Sequence, residues 1–228
     1  MDRLRDASNA CKAQQYQTLL TNHAFHLELA IGRGGDVLKL AAAATQGRLA
    51  GCVGIDCAPG AIEEAARRAA RAGLGCRLFV CDLCTQPWGT YLVKEQCPTF
   101  DSVGIQFAFH YMVRDASVLR HVLEQIARVT NRGAVVFGTT LRRDASYDRD
   151  KIFIDTGADQ QPCLGRVARV RIPGLVEGPD QGHLAEHVVD WAAVEPVLHD
   201  SGFYLESLAP VRGDPLDAYL SFVLRRFR

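Results

Sequence analysis

Leu-Glu-Leu-Ala-Ile-Gly-Arg-Gly-Gly-Asp, residues 27–36, is the stretch on which the reading of this chain turns. The run Ala-Phe-His-Leu-Glu-Leu (24–29) that leads into it reads as a buried strand, and residues 37–47 behind it are good helix formers. Between them, Gly32, Gly34 and Gly35 permit backbone conformations and close approaches that a side chain would forbid. The string is not the dinucleotide fingerprint G-x-G-x-x-G. It is a strand–turn–helix that lets a small cofactor approach the main chain, and Asp36 adds an acceptor beside it.

The same rhythm continues outward. Residues 51–56 read as a second strand, and Pro59 fits the first turn of a helix that carries arginines late and ends at Gly73. Strands follow at 76–81 and 100–109. An amphipathic helix spans 115–133, with Val118, Val122, Ile126 and Val129 at helical spacing, and a fifth strand spans 134–140. Alternating strands and helices predict a parallel, doubly wound α/β sheet, in which ligands bind at the carboxyl ends of the strands. Residues 144–185 are polar, contain Gly and Pro, and offer one plausible strand at 166–172. A helix at 190–202 and strands at 203–208 and 218–227 close the chain. We therefore expect one domain over 1–228, with an N-terminal helix in 1–20 contributing to the site. A lid would occupy 144–189, and an antiparallel tail 190–228.

Composition narrows the function classes. The chain has 228 residues, and its 26 Lys and Arg balance its 26 Asp and Glu, which argues against gripping long nucleic acid through a global field. A local basic pocket for one or two phosphates remains compatible with that balance. No apolar run is long enough to span a bilayer, and the polar N-terminus lacks a signal-peptide core, so a non-secreted protein in a reducing compartment is expected. The eight cysteines then read as reduced thiols, several of them small hydrophobes in strands. Cys81-Asp-Leu-Cys84 has metal-ligand spacing, but no matching second pair follows, so no metal is expected.

Three acids follow three successive strands. Asp36 ends the glycine turn, Asp56 ends strand two, where a carboxylate can take both ribose hydroxyls, and Asp82 ends strand three, where an acceptor can meet an adenine amino group. Read alone, Asp56 is a helix N-cap and Asp82 a loop residue. Together with the turn they describe a nucleoside pocket without a phosphate requirement, which favours S-adenosylmethionine. A second string, Gln106-Phe-Ala-Phe-His-Tyr111, leaves strand four, where the acceptor should lie, although a lone His110 or Tyr111 would read as structural.

These strings resemble the messenger RNA cap guanine-N7 methyltransferase family. Its cofactor motif D-L-G-C-G-K-G-G-D is matched by Glu28-Leu-Ala-Ile-Gly-Arg-Gly-Gly-Asp36, and its Q-F-A-L-H-Y by residues 106–111. Its G-T-T recurs at 138–140, its N-N-x-x-K resembles Ser8-Asn9-Ala-Cys-Lys12, its P-E-x-L-V resembles 185–189, and its closing strand resembles 218–223. Glu28, Ala30 and Arg33 stand where the family has Asp, Gly and Lys, and Ser8 stands where it has Asn.

The resemblance implies a Rossmann-like class I methyltransferase with a mostly parallel seven-stranded sheet, helices on both faces and an inserted lid. It implies S-adenosylmethionine bound by Lys12, Glu28, Ala30, Gly32, Asp36, Asp56, Asp82, Gln106 and Tyr111. It implies a capped guanosine held by Ser8, Asn9, Arg33, His110, Tyr111, Glu186 and Tyr219, with Glu186 accepting from guanine N1–H and the 2-amino group. Transfer to a protonless N7 needs no general base, so His110, Tyr111 and Glu186 would position rather than titrate. Capped RNA, a triphosphatase or guanylyltransferase partner, and a nuclear location (or a cytoplasmic viral factory for a viral protein) follow from the same resemblance. A methyltransferase for another acceptor, a non-catalytic cap- or cofactor-binding subunit, and a nicotinamide oxidoreductase are the competing readings.

Overall fold

The structure is a computed structural model that describes residues 2–141, 153–155, 164–171, 184–213 and 219–228; the side chains of 2–4, 153–155, 165–171 and 184–187 are not described. In chain order the elements are α1 (Asp2–Leu19), β1 (Ala24–Leu29), α2 (Val37–Thr45), β2 (Leu49–Asp56), α3 (Pro59–Arg71) and β3 (Cys76–Val80). Next come α4 (Trp88–Lys94), β4 (Phe100–Gln106), α5 (Phe109–Met112), α6 (Ala116–Val129) and β5 (Thr130–Leu141). The chain ends with β6 (Phe153–Asp155), β7 (Gly165–Arg171), β8 (Leu184–Val189), α7 (Trp191–Asp200), β9 (Phe203–Pro210) and β10 (Tyr219–Arg226).

Seven strands form one sheet in the order β3-β2-β1-β4-β5-β10-β9. The pairs from β3 to β5 are parallel, and β10 enters antiparallel to both its neighbours. Strand order reverses between β1 and β4, the crevice where doubly wound sheets bind ligands. The remaining strands make a three-stranded antiparallel sheet, β6-β7-β8, in the stretch expected to be a lid.

The pleat divides the sheet's side chains between two cores. Leu27, Leu29, Val103, Ile105 and Phe222 pack with α4, α6 and α7 through Trp88, Leu123 and Leu198. On the other face Cys52, Val135, Phe137 and Val223 pack with Tyr16 of α1, Leu20 just after it and Leu40 of α2.

Local signals account for most boundaries. Pro59 opens α3 with Arg68 and Arg71 in its last turn, and Asp115 caps α6 by accepting from the Val118 N–H at 2.9 Å. Among the expected boundaries, these move furthest. The helix expected over 115–133 stops at Val129, because Thr130 turns extended and gives its hydroxyl back to the Ile126 carbonyl at 2.8 Å. From there the chain continues as β5, whose Val135, Val136, Thr139 and Thr140 are β-branched. The strand expected over 100–109 ends at Gln106, because Phe107 adopts φ +55° and the chain enters the single turn α5. Helix α4, unassigned from sequence, is seated against α6 by the Gly89 N–H donating to Gln125 Oε1 at 3.1 Å.

Candidate active site

The two strings of interest leave neighbouring parallel strands, since Leu29 lies opposite Ile105. The β1 turn is built from left-handed residues: Ala30 at φ +55°, Gly32 at +55° and Gly34 at +75°. A Cβ on Gly34 would stand 3.0 Å from the Ala65 backbone, so glycine is what lets the turn sit on α3. No described residue lies within 4 Å of where a Cβ would stand on Gly32 or Gly35, which leaves space above the turn. Ala30 holds a conformation that glycine would reach without steric cost, at a penalty of about 1 kcal/mol.

The acids do different work from one another. Asp56 accepts from the Gly32 N–H at 2.8 Å and from the Ala58 N–H at 3.0 Å, and so ties the glycine turn to the start of α3. Asp82 caps its own loop, accepting from the Cys84 N–H and the Thr85 hydroxyl, both at 2.8 Å. Asp36 is nearly buried between two ammonium groups, Lys12 at 2.9 Å and Lys39 at 2.8 Å, and Lys39 also donates to Asn9 Oδ1 at 3.1 Å. This mixed cluster clamps α1 over the start of α2.

Two residues expected at the cofactor are built into the fold instead. Glu28 is 2 % exposed. Its Oε2 accepts from the Tyr16 hydroxyl at 2.8 Å and lies 2.8 Å from His26 Nε2, while His26 Nδ1 lies 2.8 Å from Ser102 Oγ. Burial, and then the Glu28 charge, push the Tyr16 phenol well above its ordinary pKa, so it stays a donor. Gln106 donates to Gln15 Oε1 at 3.0 Å and accepts from Thr139 at 3.1 Å. Gln15 in turn donates to the Gly138 carbonyl and to Ser221, both at 2.9 Å. Glu28 and Gln106 thus anchor α1 to β1, β4, β5 and β10.

Above these networks lies a cavity of about 520 Å³. Helix α1 contributes Ser8, Asn9 and Lys12, the stretch after β4 contributes Phe107, His110 and Tyr111, and β10 contributes Tyr219. Ser8 Oγ is buried and has no hydrogen-bond partner among the described residues, so a polar atom at the cavity wall stands unsatisfied there. Three cations, Arg5, Lys12 and Arg68, also line it, with Leu141 and Gly35. Five of the seven residues expected at the acceptor therefore lie together: Ser8, Asn9, His110, Tyr111 and Tyr219. Arg33 is exposed on the β1 turn and does not line the cavity. Glu186 sits on β8 opposite Ala168, and its side chain is outside the described residues.

Sequence reading missed Phe107 and Arg68. Arg68 pairs with Glu64 at 2.9 Å with i,i+4 spacing, which in a sequence looks like an ordinary solvated helix face. Cys81 is buried, and Cys84 Sγ lies 3.9 Å from the Tyr111 carbonyl. Among the described residues, no group of three or more His, Cys, Asp or Glu is arranged to hold a metal ion. No described helix is long and apolar enough to cross a membrane.

The mRNA (guanine-N(7))-methyltransferase domain, as a sequence family, matches residues 3–147, which takes in α1, the glycine turn and everything through β5. The chain belongs to that family. Its motif-like segments at 185–189 and 218–223 lie beyond the matched stretch. An mRNA cap guanine-N(7) methyltransferase of Cryptococcus neoformans var. neoformans serotype D is 30% identical over 128 residues, 54% of this chain and 20% of that protein. The chain thus spans about a fifth of that relative's length. Among solved structures, an S-adenosylmethionine-dependent methyltransferase from Clostridium acetobutylicum aligns with TM-score 0.64 at 12% identity, covering 98% of this chain and 92% of that one. A glycopeptide N-methyltransferase in complex with S-adenosylmethionine aligns with TM-score 0.63 at 13% identity, covering 97% and 94%. The fold is accordingly the Rossmann-like fold of S-adenosylmethionine-dependent methyltransferases.

Proposed function

We propose that this protein transfers a methyl group from S-adenosylmethionine to N7 of the terminal guanosine of capped RNA. The observation that carries the reading is one cavity in which residues of α1, the β4 exit and β10 meet beside the glycine turn at the sheet's switch point. The donor residues fit the cofactor. Gly32 and Gly35 leave room for it, and the Asp56 carboxylate stands beside that opening with lone pairs to spare for a ribose. When bound, the cofactor supplies an electrophilic methyl group on a sulfonium.

The protein's part is then placement and electrostatics. N7 has a lone pair and no proton, so no base has to act on it, and holding the reacting atoms in line supplies the catalysis. His110, Tyr111 and Tyr219 frame a flat base. Arg5, Lys12 and Arg68 line the cavity, the last two beside Asp36 and Glu64, and we assign them to the triphosphate bridge in place of Arg33. Glu186 is carried over from the family pattern as the acceptor for guanine N1–H, a contact that strengthens as the purine gains charge. With a formal net charge of zero, affinity for RNA beyond the cap would come from a triphosphatase or guanylyltransferase partner. A nuclear location, or a cytoplasmic one for a virus-encoded protein, would follow from that substrate.

The test is methyl transfer from labelled S-adenosylmethionine to GpppG-capped RNA, with thin-layer analysis of the nuclease-released cap. Labelled 7-methyl-GpppG is expected. Label at another position would move the assignment to a different acceptor, and cofactor binding without turnover would make the chain a binding subunit. Within this reading Asp56→Ala removes a charged acceptor, which weakens cofactor binding by about 10- to 100-fold. It also frees the Gly32 and Ala58 N–H groups. Unchanged affinity in calorimetry would refute the ribose assignment.

A further inference from the structure

We propose that Cys52 and Cys76 are a redox-active thiol pair, which closes to a disulfide under a hydroperoxide and so staples the edge strand β3 to the sheet. Register brings the two together. Cys52 lies directly opposite Cys76 on adjacent parallel strands. Neighbouring strands run about 4.8 Å apart, inside the Cα separation of about 4.4–6.8 Å that a disulfide needs. Register partners put their side chains on one face of the sheet, and both cysteines join the core cluster that holds Ala69 and Leu74. The Cβ atoms of such partners stand almost as far apart as the strands, wider than the ~3.8 Å typical across a disulfide. The bond is therefore strained and readily reduced, as redox-responsive disulfides are. Strand β3, paired among the described residues with β2 alone, is the one free to yield.

The two sulfurs are unequal. Cys52 is 4 % exposed, whereas Cys76 is half-buried at the sheet edge. A hydrogen bond with Cys76, and then burial, push the Cys52 thiol well above its ordinary pKa, with the charges of Cys76 and Glu28 adding to the effect. Cys52 thus keeps its proton, and Cys76 meets the oxidant. As thiolate, Cys76 attacks one oxygen of the hydroperoxide, and the O–O bond breaks. The departing alkoxide takes up the proton that the thiol gave to solvent, and a sulfenic acid remains. The Cys52 sulfur attacks that sulfur, the S–O bond breaks, and the hydroxyl leaves as water with the Cys52 proton. Each sulfur has given up one electron, and the peroxide has taken both. The bond closes the loop 52–76, which contains α3 and Asp56, and so restrains the unfolded chain.

The experiment treats the folded native chain with hydrogen peroxide, blocks the remaining thiols and maps the tryptic digest without reduction. Residues 72–77 should be found joined to residues 49–67, with fragmentation placing the bond at Cys52 rather than Cys57. The thermal unfolding midpoint should rise by about 5 °C and fall back when dithiothreitol is added. Cys52→Ala should instead hold Cys76 as a sulfenic acid that dimedone traps, and Cys76→Ser should lose the rise in midpoint. A bond placed at Cys57, or Cys52 and Cys76 still free once other thiols have reacted, would overturn the pair. A chain that carries the bond yet melts no higher than the reduced one would overturn the staple.

Discussion

Glu28→Ala is expected to lower the stability of the protein by about 3–5 kcal/mol, since it strands two buried polar groups and opens a cavity at once. The Tyr16 hydroxyl and His26 Nε2 both converge on Glu28 Oε2 at 2.8 Å, and both side chains are almost fully buried. Without the carboxylate each loses its partner in a place water does not reach. The carboxylate also packs directly over Gly104 on β4, so its removal leaves a void between the sheet and α1. A loss of that size is a large share of the 5–15 kcal/mol that typically separates folded from unfolded domains. Equilibrium urea unfolding reads it as a drop in midpoint at an unchanged slope. Because Tyr16 belongs to α1, which also carries Ser8, Asn9 and Lys12, turnover should fall in the same variant even below its unfolding midpoint. A native-like urea midpoint would show that the network does not hold the helix down.

Gly138→Ala is expected to cost about 3 kcal/mol, a drop of roughly 6–12 °C in Tm for a domain of this size. A Cβ built on Gly138 collides with the carbonyl oxygen of Ile105, its partner on β4, and meets Phe222 from β10 at 3.0 Å. The obstacle is backbone within the central ladder, so relief requires separating β4 from β5 rather than turning a side chain. The same shift would disturb the Gly138 carbonyl, to which Gln15 donates at 2.9 Å, and loosen α1 from the cavity side. Gly60→Ala in α3, where no described residue lies within 4 Å of the added methyl, is the control and should leave Tm unchanged or slightly raised. Equal melting of the two variants would remove the steric argument.

Much of the framework was legible because parallel strands are buried on both faces and advertise themselves as short apolar runs ended by turn residues. Residues 24–29 match β1 to the residue, and Pro59 and Gly73 mark the two ends of α3. The resemblance was equally readable, since motif residues that serve one crevice must recur in order along the chain, and the family match over 3–147 agrees with it. What could not be read was which polar residues face the ligand. Glu28 and Gln106 look like site residues because they occupy motif positions at strand ends, yet their side chains point under α1 and bind it. Phe107 looks like the last residue of a strand, because a single positive φ leaves no mark in an apolar sequence.

The sequence by itself determined the alternation of strands and helices and the family, because these depend on period, turn chemistry and motif order, all of which are local. The tertiary structure alone decided the division of labour among the polar residues. His26 and Glu28 alternate with Leu27 and Leu29 as residues on a solvated face would, but the packing of α1 on that face removes them from water. Once they are dry, each must find a partner, and the partners come from residues as far apart as Tyr16 and Ser102. The same helix brings Ser8, Asn9 and Lys12 to within reach of residues 107–111 and Tyr219, almost the whole chain away, and so makes one cavity out of separate strings.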